Sequence, residues 1–340
     1  MTIDMPVWPY VYGSPTGTGV IRNQPEDFIV HEHLSFEPSG SGEHVFLKIE
    51  KIGENTEFVA RQLARFANVR QRDIGYAGLK DRHAVTTQWF SIWLPGKADL
   101  DWNLLNSDQL KVIDNVRHAR KLKRGVLSAN SFQITISDWQ GDAEKTVAQL
   151  QAIKANGLAN YYGEQRFGYQ GQNINKALAM FAGAKVGREQ RSLYLSAARS
   201  YLFNQLLASR VSLNNWDQAL TGDTYVFDLS HSCFRSEQPD TEILRRLHAN
   251  EIHATGVLWG KGEADVSGDA LELEKAVINA FPELAQGLVN SEVIRNRRAL
   301  RVNVPDLSWR FATNQTLILN FTLPAGCYAT ALLREIINNG

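Results

Sequence analysis

GYAGLKDRHAVTTQ, residues 75–88, sets one carboxylate, Asp81, between Lys80 and Arg82, with His83 following. Two glycines lie upstream of the charged run. Downstream, TTQWFSIWL turns Phe90, Ile92 and Leu94 to one side, the period of a half-buried strand. A loop in this context projects a carboxylate from a rigid strand edge, and the flanking cations favour its ionised form. Charge pattern alone reads as an exposed, salt-bridged turn, because structural ion pairs outnumber catalytic carboxylates.

Working outward, Asn55 and Thr56 are N-cap candidates for a helix running to about Asn68, with Val59, Leu63 and Phe66 as its core stripe and Arg61 and Arg65 together on another face. Before it, DFIVHEHL and HVFLKIE alternate as strands, and the turn-like PSGSGE between them predicts that the two pair antiparallel. NSFQITIS supplies another strand, with Phe132, Ile134 and Ile136 on one side. From Gly157 the periods lengthen, as in SLYLSAARSYLFNQLLASRV, where Leu195, Ala198, Leu202 and Leu206 form a stripe. Strand patterns return near Ala299 in RALRVNV, LSWRFA and TLILNFTLP, and TALLREII predicts a closing helix. The expectation is an α+β chain: a discontinuous domain of residues 1–154 and 303–340, interrupted by a mostly helical insertion of 155–302.

With 340 residues and 44% apolar content the chain can bury a sizeable core. Lys plus Arg equals Asp plus Glu at 36 each, so a polyanion partner has to be met by local clusters. Two cysteines far apart, Cys233 and Cys327, suit a reducing compartment. The first residues lack a basic and apolar leader pattern, and no apolar run is long enough to span a bilayer. Cytoplasmic localisation is expected. His31 and His33 share a strand face without a third ligand, which reads as a solvated or hydrogen-bonded pair, not a metal site. The zinc-deaminase, P-loop, dinucleotide and nucleophile-elbow patterns are absent. The remaining chemistry is that of ordinary side chains, with no cofactor and no metal expected.

Gly78, Lys80, Asp81, His83, Ala84, Val85, Thr86 and Gln88 together closely resemble the signature of the tRNA pseudouridine synthase D (TruD) family. Five further segments resemble that family in the same order: PEDFIVHE at 25–32, ANSFQI at 129–134, NYYGEQRFG at 160–168, SAARSYLFNQ at 196–205 and LPAGCYATALLREI at 323–336. Agreement spanning nearly the whole chain shifts the reading of Asp81 from a surface turn to a functional group.

The resemblance implies a pseudouridine synthase catalytic domain, an antiparallel sheet flanked by helices, with a family-specific inserted domain. It implies tRNA as partner, uridine 13 of the D arm as target, and isomerisation by cleavage of N1–C1′, rotation of the base and rejoining through C5. Asp81 matches the catalytic carboxylate, which attacks sugar or uracil or abstracts a ribose proton; a carboxylate suits each route. Arg22 stands where the family usually carries Lys and is read as the cation paired with Asp81. Phe28, Asn130, Phe132 and Tyr328 match positions around the target base. Aromatic faces replace lost stacking there, and an amide pairs with the polar edge. Tyr328 is often Phe in the family. Without the resemblance, Phe28 and Phe132 read as core and Asn130 as a turn residue. His83 is read as holding the loop.

For RNA contacts, KVIDNVRHARKLKRG at 111–125 carries six cations against Asp114, and Lys121, Lys123 and Arg124 are its phosphate-binding candidates. A solvated edge strand is the competing reading; closeness to the Asn130 strand favours RNA. Arg295, Arg297, Arg298 and Arg301 form a second candidate cluster, which suggests tRNA in a cleft between domains. The alternatives to a synthase are a non-catalytic RNA-binding or RNA-folding protein on the same fold and a nucleoside glycosidase. No obligate protein partner is evident, and a monomer is expected.

Overall fold

The computed structural model describes residues 2–123, 125–230 and 232–338; Arg124, one of the RNA-contact candidates, lies outside the described residues. The chain divides into two compact units, one of Met1–Pro15, Glu144–Pro305 and Cys327–Ile337, the other of Thr16–Ala143, Asp306–Gly326 and Asn338–Gly340. These limits differ from the expected ones at the N-terminus, at 144–154, at 303–305 and at 327–337. The first residues belong with the first unit because they are tied into it. Tyr12 Oη donates to the Gly157 carbonyl at 2.6 Å, the backbone N–H of Val11 donates to Glu335 Oε2, and Trp8 stacks on Tyr161.

The unit holding Asp81 is built on strands β1 (Gly17–Ile21), β2 (Phe28–Leu34), β3 (His44–Ile52), β4 (Ile74–Tyr76), β5 (Val85–Trp93), β6 (Leu110–His118) and β7 (Leu127–Gln140), with a hairpin of Ser308–Thr313 and Thr316–Pro324. The main path through its sheet runs from that hairpin through β7, β2, β5 and β3 to β6 at the edge; β1 pairs with β7 and β4 with β5. The expected pairing of β2 with β3 does not occur. β5 lies between them, parallel to β2 through Ile29↔Val85 to His31↔Thr87 and antiparallel to β3 along its full length. PSGSGE is turn-rich but leaves a link of several residues, and such a link fixes chain reversal without fixing which strand fills the space. Along this path the sheet is antiparallel except between β2 and β5.

Helix α1 (Thr56–Phe66) starts where its N-cap signal lies, the Asn55 side chain accepting from the Phe58 N–H at 2.7 Å. It covers one face of the sheet, packing Val59 and Leu63 against Val45, Leu47, Ile49, Phe90 and Ile92. Gly75 in β4 admits no side chain, because a Cβ there would collide with the Leu122 carbonyl and Ser91 Oγ.

In the other unit the helix Arg188–Ser212 buries Ala198, Leu202 and Leu206, while Leu195 is only half-buried and Tyr194 takes the inner position. Helices dominate here, joined by a four-stranded sheet in the order Cys233–Arg235, Thr224–Phe227, Ile252–Leu258 and Asn296–Ala299. The helical reading of this block omitted that sheet, whose strands are short and lie apart in sequence.

Candidate active site

Register brings the site residues of the sheet together. Antiparallel pairing sets Val30 opposite Phe132, Glu32 opposite Asn130 and Phe28 opposite Ile134, so Phe28, Glu32, Asn130 and Phe132 share one face. Phe321 lies opposite Phe132 and stacks on it with ring centres 5.2 Å apart; Phe28 meets Phe132 edge-on at 6.1 Å. Across β5 and β3 the same face continues with Thr86, Gln88, Ile49 and Lys51.

Arg22 follows β1 in the left-handed backbone region, φ 62°, uncommon for a residue with a side chain. Its guanidinium lies over the Phe28 ring at 4.2 Å and meets Asp81 Oδ2 at 2.8 Å. The two charged side chains are 30% and 35% exposed, so the pair is open to a ligand. Asp81 Oδ1 accepts the backbone N–H of His83 at 3.1 Å, which fixes the carboxylate rotamer. The His83 side chain is exposed, and it is the backbone N–H of this residue that holds Asp81.

Beneath the loop lies a buried polar frame. Lys80 Nζ meets Glu32 Oε2 at 2.8 Å and donates to Asn130 Oδ1 at 2.8 Å, while Glu32 Oε1 accepts the Trp89 N–H. Gln88 Nε2 donates to the Gly78 carbonyl, its Oε1 accepts from Thr56 Oγ1, and Thr56 Oγ1 accepts the Lys80 N–H. Lys51, fully buried, donates to the carbonyls of Glu54 at 2.6 Å and Asp81 at 3.3 Å. Burial pushes its ammonium down to about 8, against the opposing pull of Asp81. Sequence reasoning missed Glu32 and Lys51 as site residues. Lys51 carried a signal, since it falls on the same strand face as Val45, Leu47 and Ile49, where a lysine is out of place unless its charge is used.

The family model for tRNA pseudouridine synthase D (TruD) matches residues 5–180 and 170–336. The chain is 48% identical to tRNA pseudouridine synthase D of Methylococcus capsulatus, over 97% of this chain and 94% of that protein. The corresponding protein of Aeromonas salmonicida is 43% identical over 96% and 93%. The chain belongs to the tRNA pseudouridine synthase D family. A crystal structure assigned to tRNA pseudouridine synthase D (TruD) from Methanosarcina mazei shares the fold, with a TM-score of 0.73, 22% identity and coverage of 97% and 95% of the two chains.

Not every residue matched to the TruD pattern lies in the Asp81 unit. Tyr328 belongs to the other unit, where its hydroxyl accepts from Arg166 Nε at 2.8 Å and Nη2 at 2.5 Å, and its ring meets Tyr162. Burial raises its hydroxyl's pKa, with Arg166 opposing. Lys123 is exposed, and Lys121 reaches back to the Arg72 carbonyl. β6 is the sheet edge, as the competing reading of that basic segment required. Two members of the second arginine cluster are not where a surface cluster would put them. Arg297 is buried against Glu274 at 2.6 Å and Asp265 at 3.1 Å. Arg301 is buried against His253 Nδ1 and the Leu247 carbonyl, and Arg295 lies over Trp259. Burial turns Arg297 and Arg301 inward onto partners from other segments, so these two are not surface cations, whereas Arg295 and Arg298 are half-buried. His31 and His33 bond Thr87 and Ser131, and among the described residues no group of three or more potential ligands could hold a metal ion. Nor, among those residues, is any helix long and apolar enough to cross a membrane.

Proposed function

We propose that this protein isomerises uridine 13 in the D arm of tRNA to pseudouridine, with Asp81 as the catalytic carboxylate. The observation that carries this reading is the open Arg22–Asp81 pair at 2.8 Å, set against the aromatic face of Phe28 and Phe132 in a chain of this family. The reaction breaks N1–C1′ and forms C5–C1′. The proton on C5 is lost and N1 gains one, so atoms balance without an external reagent. Asp81 serves by attack or by proton abstraction, and both require an ionised carboxylate that can leave its cation. Arg22 is its charge partner at the surface, where exchanging one ligand for another is inexpensive.

Phe28 and Phe132 offer the flipped uracil a replacement for its lost stacking. Asn130 spends its carbonyl oxygen on Lys80, which leaves its amide N–H groups to donate to a uracil carbonyl. Lys80, Glu32, Gln88 and Lys51 are positioning residues: they hold the loop backbone and the Asn130 amide. Tyr328 is assigned to the target base as well. Lys121, Lys123 and Arg124 are assigned to RNA phosphates. Functionally the chain reads as a catalytic domain of 1–154 and 303–340 with an insertion of 155–302, acting as a cytoplasmic monomer without a cofactor.

The test is incubation of the protein with unmodified tRNA transcript, followed by pseudouridine-specific chemical mapping. Pseudouridine at position 13 is the expected product, with no free uracil. Release of free base would favour a glycosidase. Binding without modification would favour an RNA-folding protein.

A further inference from the structure

Beyond the Asp81 loop, the far end of α1 carries a second concentration of charge. Two hollows of about 490 and 520 Å³ meet at Asn68 and Val69, where the helix ends in left-handed Asn68, φ 49°. Arg61 and Arg65 line one; Arg70, Arg72 and Lys97 line the other, beside Trp93. All five cations are exposed, and among the described residues none of their side chains takes part in an ion pair. Lys121 joins them through its bond to the Arg72 carbonyl at 2.5 Å. Three of the neighbouring acids are engaged. Asp73 caps the Arg70 N–H, Glu43 accepts from the Trp93 indole, and Asp99 pairs with Arg117. Glu57, in the first turn of α1, is a nearby acid without such a bond.

A solvated helix face explains Arg61 and Arg65 alone, and Arg65 in the last turn also suits the helix dipole. It does not explain why three separate segments bring five cations to adjoining hollows, with Lys121 from a fourth bonded beside them, in a chain whose charges sum to zero. α1 lies on the sheet face that carries the Asp81 loop, and its first turn is bonded to that loop through Thr56. From there, α1 runs about 16 Å to the hollows.

The geometry points to a docking surface for the phosphate backbone of helical RNA next to the target nucleotide. This rests on the proposed tRNA substrate and adds to it a second, sequence-independent contact, since duplex RNA is read mainly through phosphates and shape. The hollows receive backbone phosphates of the stem while the target base is held at Asp81. Trp93, 42% exposed with its indole N–H held by Glu43, lines the hollow and meets the sugar edge.

The test compares the full chain with a variant carrying Arg65→Gln, Arg70→Gln and Arg72→Gln, using unmodified tRNA transcript as probe. Each lost phosphate contact lowers the slope of log affinity against log salt by roughly one unit, so the slope should fall by about two to three. The affinity deficit at about 50 mM salt should then exceed that at about 200 mM by at least roughly tenfold. Turnover at saturating tRNA should be unchanged. The corresponding triple Lys variant should restore the slope, since phosphate here is met by charge. An unchanged slope in the Gln variant, or failure of the Lys variant to restore it, overturns the proposal and returns the patch to solvent or to another partner. If the unaltered protein binds tRNA through this patch yet forms no pseudouridine, the activity reading fails and the docking surface stands.

Discussion

Arg22–Asp81 in one unit and Arg297–Glu274 in the other join the same two kinds of group at similar lengths, 2.8 and 2.6 Å, but their side chains are 30% and 35% exposed in the first pair and 4% and 5% in the second. The closed pair is further tied by Arg297 bonds to Thr255 Oγ1, the Thr255 carbonyl and Asp265. Its charges have been taken out of water and have nowhere else to go, so losing one partner strands the other. Asp81 keeps solvent access and a rotamer set by backbone, and parting from Arg22 costs little. Two arginines in the same chain thus serve opposite ends. One locks a fold, and the other pairs a carboxylate at the surface and leaves it available.

The largest expected effect sharpens the closed side of this contrast. Arg297→Ala should lower unfolding free energy by about 3–5 kcal/mol, read by denaturant titration, whereas Arg22→Ala should change it by under about 1 kcal/mol. Equal losses would erase the distinction.

Lys51 tests the frame under the open pair. Its folded pKa, about 8, lies below its unfolded value, so between about 8 and 10.4 the unfolded chain binds more protons and stability rises with pH. The stability of the unaltered protein relative to Lys51→Met should therefore grow by on the order of 3 kcal/mol as pH rises through that window. A flat difference would show that Lys51 is not held as a desolvated ammonium.

For the open side, Arg22→Ala should reduce turnover roughly hundredfold, with Arg22→Lys staying within about tenfold of the unaltered enzyme because a charge suffices. Loss in both variants would mean that guanidinium geometry, not charge, supports Asp81. Smallest of all, Tyr328→Phe removes the acceptor of two Arg166 bonds and should cost about 1 kcal/mol of stability, with turnover within a few-fold because the ring remains.

Much of this contrast was legible in the sequence and part was not, for definite reasons. Alternation located β2, β3, β5 and β7, and Asn55 located the start of α1, because those signals are local. That β5 separates β2 from β3 is a choice among strands distant in sequence, which a turn-rich link does not record. The pairing of Arg22 with Asp81 was read from family resemblance alone. Arg297 looked like a surface cation because its partners, Glu274 and Asp265, come from other segments; sequence displays a charge without its burial. The sheet of the second unit was missed for a similar reason, since its short strands are divided by helices.

The most direct measurement is pseudouridine formation in tRNA by Asp81→Asn beside Glu274→Gln, each followed with its unfolding midpoint. Asp81→Asn should keep a near-normal midpoint and tRNA affinity but form no detectable pseudouridine, while Glu274→Gln should lose stability and, where folded, still turn over. Substantial product from Asp81→Asn, or unfolding of that variant, would contradict this expectation.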